Sequence, residues 1–506
     1  MSSIGGLPNT WCNAKISDIT SVNPTLDKSE IPDDLYVSFV PMSAVQAECN
    51  VIDVTDKRKF SEVKKGYTTF REGDVLFAKI TPCMENGKMA VVPKVRNSIG
   101  FGSTEFHVLR AFPCVNAKYV YYYVSSKGFR SEAEHNMSGA VGQRRVTTPY
   151  LSACEIPLPP KNEQHRIVAK IEELFSELDK GIENLKTARA QLKVYRQALL
   201  RHAFEGKLTA KWRAENKDKL ETTEALQKRI QLERVQRYQQ QLADWEASGK
   251  QGSKPKAPKN LPPLTAKELA ELPELPEGWG HIQIGNLLDV VSGGTPKGIE
   301  NTKGTEIPYY RVSDMNRVGN EASMNSSATY LSEKEAAGIR LSIYPVGTII
   351  FPKRGGAIAT NKKRRLAHKS GFDLNLMGMT NLPDSLSADY LWLWMLALDL
   401  ASISDGSNVP QINNRNVEPI AFPICSSAEQ AIIVELAESR LSVCDQLNQT
   451  ITTSLQQAEA LRQSILKKAF SGQLVLQDPH DEPASALLTR IKAEKSANSN
   501  NKKVRV

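Results

Sequence analysis

Catalytic signatures, metal-ligand spacings and long apolar runs are all missing from this sequence. Its seven cysteines (12, 49, 83, 114, 154, 425 and 444) are odd in number, widely spaced and never in CxxC. That excludes a disulfide scaffold or zinc framework and fits reduced thiols. The longest apolar run, residues 390–398, stops at Asp399 and falls short of the ~20 residues that cross a bilayer. The opening MSSIGGLPNTWCNAK has no apolar signal core, so a soluble, cytoplasmic protein is expected. HExxH, Walker A and GxGxxG are absent, which removes zincin, P-loop and dinucleotide chemistry. Residues 355–363 look faintly phosphate-binding, but Asn361 stands where a P-loop needs glycine. The Asn/Asp-Pro-Pro-Tyr/Phe stretch of adenine methyltransferases is also missing. One loose nuclease pattern occurs, Pro32-Asp33 with Glu62-Val63-Lys64; it reads more simply as a polar turn before a strand.

What is present is a long repeat. Residues 163–208 recur at 429–474 with a constant offset of 266 (429 − 163) and no gap. Identities include Glu163/Glu429, Gln164/Gln430, Asp179/Asp445, Arg196/Arg462, Phe204/Phe470 and Gly206/Gly472. A repeat of this length marks a duplicated architecture. Neither copy contains proline, and each ends in a glycine suited to a helix C-terminus. In copy one, Ile171, Leu178, Leu185, Leu192 and Leu199 recur every seventh residue, with Ile167, Leu174, Ala188 and Tyr195 as complementary positions. Copy two offers Ile433, Leu447, Ile451, Leu461 and Ile465, interrupted by Arg440 and Ser454. Such a/d seams require a partner helix. Two helices of roughly 65 Å are expected to zip together, antiparallel if the duplication has pseudo-twofold symmetry.

The duplication reaches beyond the helices. LPNTW at 7–11 returns as LPEGW at 275–279, and GDVLFAK at 73–79 as GTIIFPK at 347–353. Residues 117–126 and 388–397 match as buried helices, and 138–146 and 405–413 as Gly-then-Gln loops. Segment 225–234, after the first long helix, resembles 486–495, after the second. The expected order is a globular block at 1–160, a long helix at 161–210, and a polar helix with a mobile Lys/Pro/Gly linker at 211–275. A second block at 276–425, a long helix at 426–475, and a short helix with a disordered basic tail at 476–506 follow. The fold class is α+β, with two mixed α/β blocks and two long coiled-coil helices.

A net charge of +9 and a pI of about 9.0 favour a polyanionic partner. In the first block the cations gather at 57–59, 64–65, Lys79, Lys88 and Gln143-Arg144-Arg145. In the second they are Lys353-Arg354, Asn361-Lys362-Lys363-Arg364-Arg365, and Gln411, Asn413 and Arg415. Lys and Arg neutralise phosphates; Arg, Gln and Asn also match base edges. Ordinary solvated charge runs are the plain alternative. Residues 361–365, four cations in a Gly-bounded loop, are the sharpest candidate for nucleic-acid contact.

PLPPKNEQHRIV (157–168), RQALLRHAFEGKLTAKWRAEN (196–216) and RQSILKKAFSGQL (462–474) resemble the specificity subunit of type I restriction-modification enzymes. The second copy departs in having SSAEQ where the first has PPKNEQ. The resemblance implies that each globular block is a target-recognition domain for one half of a split, asymmetric site in double-stranded DNA. It also implies that the antiparallel helices hold the two domains apart and dock two methylation subunits. Restriction subunits would complete the complex. S-adenosylmethionine, ATP and Mg would then belong to those other subunits, and this chain would bind no cofactor and catalyse nothing. Other readings are the recognition module of another restriction-modification class, a coiled-coil scaffold without a DNA role, and a nuclease using Asp33, Glu62 and Lys64.

Overall fold

The computed structural model describes residues 6–140, 142–250 and 254–503, with side chains to residue 496. Each globular block is closed by its own two ends. Strand Cys12–Lys15 pairs antiparallel with Glu155–Leu158, and Gly280–Gln283 with Ala421–Ile424. Buried Ala14, Ile156 and Leu158 alternate with more exposed neighbours, the period-two pattern of a strand with one covered face.

Two sheets fill each block. In the first, one sheet has the antiparallel order Thr20–Val22, Phe106–Ala111, Val75–Ala78, Met89–Val91. The other has the order Lys57–Lys59, Tyr36–Val40, Gly100–Gly102, Thr68–Phe70, its central pair parallel. The second block repeats the plan. Asp289–Ser292, Leu376–Thr380, Ile349–Pro352 and Arg364–Leu366 follow the first order, extended by Ser323–Met324. Thr329–Leu331, Ile307–Tyr310 and Gly371–Phe372 form its smaller sheet, again with a parallel pair. The echoed GDVLFAK and GTIIFPK stretches thus supply corresponding inner strands, each buried throughout. The matched helices are Ala117–Ser125 and Ala388–Ala397, capped by Asn116 and Ser387. Tyr119 and Tyr390 inside them donate to the carbonyls of Pro157 and Pro423.

The long helices are Lys161–Phe204 and Ser427–Phe470, 44 residues each. Their Glu-Gln starts are fastened to the blocks. Trp11 Nε1 donates to Glu163 Oε2 at 3.0 Å and Trp279 Nε1 to Glu429 Oε2 at 2.9 Å. Gln164 accepts from Asn116 N, and Gln430 accepts from Ser387 N. Past the helix ends, Gly206 (φ 68°) and Gly472 (φ 73°) are left-handed. A Cβ there would stand 2.5 Å from Pro276 or 2.3 Å from Pro8, so close approach adds to the conformational demand.

The chain divides into two units, and the boundary falls inside each long helix. One unit holds the chain up to Thr187 and again from Ile451; the other is Ala188–Thr450. In the first, Ile167, Val168 and Ile171 share an apolar cluster with Ile465, Leu466 and Ala469. In the second, Leu199, Leu200 and Ala203 share one with Ile433, Ala437 and Leu441. In both, the start of one helix lies beside the end of the other, so the pairing is antiparallel. Ion pairs repeat this arrangement: Arg462 with Asp179 in the first unit, and Arg196 with Asp445 in the second. Each residue of one pair is one repeat away from its counterpart in the other.

The seam holds for copy one and shifts for copy two. Ile171 and Leu199 are buried; Leu178, Leu185 and Leu192 are half-buried. In copy two, Ile433, Ile451 and Ile465 are buried, but Leu447 and Leu461 are about half exposed (49% and 51%). The buried line is Ala437, Cys444, Ile451, Ala458 and Ile465. Arg440 and Ser454 therefore lie off the seam and interrupt nothing. In copy one, Ala188 and Tyr195 are exposed, and half-buried Phe175, Ile182 and Arg196 occupy the complementary line.

The trailing helices are Thr223–Ala247 and Ala484–Lys503. Leu226 and Ile230 enter the core of the second block; Leu487 and Ile491 enter that of the first. Arg234 donates to Gly285 O and Lys495 to Ser17 O, corresponding points on the two blocks. The last helix runs to Lys503, and residues 484–503 contain neither glycine nor proline to stop it; the end of the expected basic tail, 504–506, lies outside the described residues. Of the expected linker, residues 251–253 lie outside the described residues, and two later positions contact the second block. Lys259 pairs with Glu418 at 2.9 Å, and Leu261 exchanges hydrogen bonds with Asn286.

Candidate nucleic-acid interface

Two loops meet in each block, and they meet in the same way. One follows the Phe-x-Lys strand; the other is the Gly-then-Gln loop. In the first block Val146 N donates to Lys79 O and Thr81 N to Arg144 O. In the second, Ile412 N donates to Lys353 O and Gly355 N to Pro410 O. Isolated bridges Ile80↔Arg145 and Arg354↔Gln411 mark the junctions. A third segment is tied on: Lys88 Nζ donates to Met42 O, and Lys362 Nζ to Asn316 Oδ1. Met42–Ala44 and Val312–Asn316 are the 3₁₀ turns after corresponding strands.

Internal hydrogen bonds brace the described residues of both Gly-then-Gln loops; residue 141 of the first lies outside them. Ser138 and Arg145 exchange backbone hydrogen bonds. In the second block, Asp405 Oδ1 accepts from Ser407 N, Ser407 Oγ and Gln411 N. Those bonds hold its carboxyl below the usual range.

The structure divides the predicted contact residues. In the first block Gln143 is exposed, and Arg144 faces Glu134 loosely at 3.6 Å. Arg145 is engaged in a two-bond fork with Glu105, at 2.9 Å for each bond. That contact pulls the Glu105 carboxyl down. Lys79 is half-buried, and Lys88 is used internally. Nearby, buried His107 accepts from Asn23 and donates to Val146 O, the tautomer these partners require. Burial keeps its pKa low.

In the second block the predicted basic loop is largely structural. Asn361 takes the left-handed conformation (φ 52°) and accepts from Leu400 N. Lys363 is 4% exposed and donates to Asn361 Oδ1 and Leu398 O; burial pushes its pKa down to about 8. Arg364 and Arg365 lie on an inner strand. Arg364 donates to Lys363 O, and Arg365 pairs with Asp389 and lies 4.8 Å over the Trp392 ring. Lys362 holds Asn316. The expected loop tip of free cations is therefore corrected: hydrophobic Leu366 and the strand pairing draw the run inward. Lys353 reaches Ser292 Oγ at 3.1 Å. Gln411 is half-buried at the bridge, and Asn413 caps the turn Asn414–Val417. Arg354 and Arg415 are exposed. Sequence reasoning missed exposed Asn408 and Val409, which the Gly-Ser-Asn-Val-Pro turn chemistry marks as a loop tip.

The nuclease pattern does not assemble. Lys64 pairs with Asp33 at 2.8 Å on the surface, while Glu62 accepts from Lys59 N at the start of its short helix. Glu62→Ala is expected to cost at most about 1 kcal/mol, the worth of a lost cap, and both variant and wild type are expected to leave DNA intact when the purified chain is incubated with it and Mg²⁺. Cleavage by the wild type that the variant lacks would reverse this. Among the described residues, no three or more His, Cys, Asp or Glu side chains are grouped to hold a metal. No helix among them is long and apolar enough to cross a membrane.

A family described as "Type I restriction modification DNA specificity domain" matches residues 8–187 and 276–457, one copy on each block and its adjoining helix. The chain belongs to this family of type I restriction-modification specificity subunits. The EcoAI specificity subunit of Escherichia coli is 27% identical over 491 residues, 89% of this chain and 80% of that one. The EcoEI subunit of Escherichia coli is 25% identical over 520 residues, 91% of this chain and 83% of that one. Among solved structures, the HsdS subunit from Thermoanaerobacter tengcongensis superimposes with TM-score 0.56 at 18% identity, covering 93% of this chain and 99% of that one. A chain from work on assembly and conformational transition of the type I R-M system gives TM-score 0.67, also at 18% identity, over 93% and 100%. These two share the fold. The bridged loops thus lie within two DNA specificity domains of one specificity subunit.

Proposed function

We propose that this specificity subunit directs a type I restriction-modification complex to a bipartite, asymmetric site in double-stranded DNA, one half read by each block. The observation that supports this is the pair of bridged loops. Their backbone hydrogen bonds are the same in both blocks, whereas the side chains they present differ. One scaffold with two sets of presented groups suits two different half-sites. Approached from one face of B-DNA, such half-sites lie about one helical turn, ~34 Å, apart. The subunit itself performs no chemistry in this reading. It binds no S-adenosylmethionine, ATP or Mg; methylation and restriction subunits bring these, and two methylation subunits dock on its long helices. The complex works in the cytoplasm.

Sequencing of methylated positions in cells with and without this chain tests the proposal. The expected result is a gapped motif with two unlike halves, present only with the chain. The purified complex should bind that site with an affinity that falls steeply as salt rises. A continuous or palindromic motif, or no salt-dependent DNA affinity, would refute it.

A further inference from the structure

The duplication lets the two blocks serve as each other's control. Backbone contacts that recur in both are scaffold, so the reading groups are to be sought among side chains that differ and are free. In the second block Lys362, Lys363, Arg364 and Arg365 each bond within the fold, and Arg364 Nε and Arg365 Nε and Nη2, which have no partner there, are buried. Arg354 is exposed and makes no hydrogen bond or ion pair among the described residues. Its backbone is nonetheless fixed, because the residues on either side of it, Lys353 and Gly355, bond to Ile412 and Pro410. Val409, 57% exposed, sits over Gly355, with Cγ1 4.0 Å from where a Cβ would stand. Asn408 precedes it in a turn that Asp405 locks through Gln411 N and Ser407.

We infer that Arg354, Asn408 and Val409 are the base-reading group of the second block. A guanidinium fork matches guanine O6 and N7, a carboxamide matches adenine N6 and N7, and a branched methyl matches the thymine methyl. A surface serving phosphates alone would offer cations only, and this one sets exposed Arg354 beside an amide and an apolar tip, with Arg415 the other exposed cation named above. The inference rests on the reading of the preceding section and names the residues that carry it.

The decisive variant is Arg354→Lys, which keeps the charge but loses the fork. Arg354→Ala and Lys363→Met are its companions, each assembled with the methylation subunits. Arg354→Lys is expected to lower discrimination at one base pair of one half-site by roughly 10- to 100-fold, with the other half and the salt slope unchanged. Lys363→Met is expected to leave the motif intact. If Arg354→Lys and Arg354→Ala both retain the wild-type motif, or relax both halves, the inference is overturned. Failure of the wild-type complex to recognise a gapped site would instead strike the preceding section. A wild-type gapped site with an unaltered Arg354→Lys motif strikes only the residue assignment.

Discussion

Glu429→Gln is expected to destabilise its unit by about 3–5 kcal/mol, and Glu163→Gln by about 1–2 kcal/mol, although the two glutamates occupy the same repeat position. Both are 1% exposed and both accept from a tryptophan indole. Their other partners differ. Glu429 also accepts from Thr209 Oγ1 at 2.7 Å and from Arg213 Nε at 3.0 Å. Arg213 is itself mostly covered and lies 5.7 Å over the Trp279 ring. Removing the carboxylate charge leaves a buried guanidinium without its anion, the expensive case. Among the described residues, Glu163 has only neutral donors at hydrogen-bond distance, Trp11 and Gln477. Burial raises its pKa. A raised folded-state pKa means the native state holds the proton more tightly than the unfolded chain. The resulting stability is present in full below the ordinary carboxylate range and is lost as pH rises through the folded value. Glu163→Gln removes that pH dependence as well as one acceptor. Hydrogen exchange resolved by peptide in each unit, in water and across pH 4–7, separates the two effects. Equal costs for both variants would show that Arg213 contributes nothing through Glu429.

Much of this architecture was legible in the sequence, because duplication converts one chain into two readings of the same fold. The echoed strands, the matched helices Ala117–Ser125 and Ala388–Ala397, the long helices and their glycine ends all stand where the echoes put them. The seam of copy two was misread through reliance on apolar spacing alone. Its true line, Ala437, Cys444, Ile451, Ala458 and Ile465, is the copy-one seam displaced by the repeat offset. Alanine and cysteine carry little apolar signal, but two helices approach closely where side chains are small. The contact residues were less legible, since a run such as Lys362–Arg365 does not declare which cations are exposed. Pairing Arg364–Leu366 into a sheet decides that, and the pairing depends on partners distant in sequence. The Trp11–Glu163 and Trp279–Glu429 contacts were missed for the opposite reason. Both halves of each contact were noted as repeats, in LPxxW and in Glu-Gln, but nothing in the sequence joins them.

Replacing residues 277–425 with the matching block of a relative is expected to yield a poorly folded protein, whereas replacing 223–425 should fold and alter one half of the methylated motif. Sequence boundaries alone favour the shorter exchange, since the repeats flank it. Packing favours the longer. Helix Thr223–Ala247 places Leu226 and Ile230, both fully buried, in the core of the second block. It also binds that block through polar side chains. Arg229 Nε donates to Ser385 Oγ, Glu233 accepts from Ser385 Oγ, and Arg237 donates to the carbonyls of Asn381 and Leu382. Arg234, itself buried, donates to Gly285 O at 3.0 Å and Asn286 O at 2.8 Å. A foreign block would meet this helix with unmatched contours. Each large aliphatic side chain that loses its cavity costs about 2–5 kcal/mol, and buried Arg234 without its carbonyls costs several more. That sum approaches the whole stability of a domain, about 5–15 kcal/mol. Carrying the helix with its block keeps these contacts and also the pinned segment at Lys259 and Leu261. Soluble yield and unfolding midpoint of the two chimaeras, followed by sequencing of the methylated motif, measure the outcome. Equal stability would show that the trailing helix is no part of the second module. A change in both halves of the motif by the 223–425 exchange would show that the blocks do not read DNA independently.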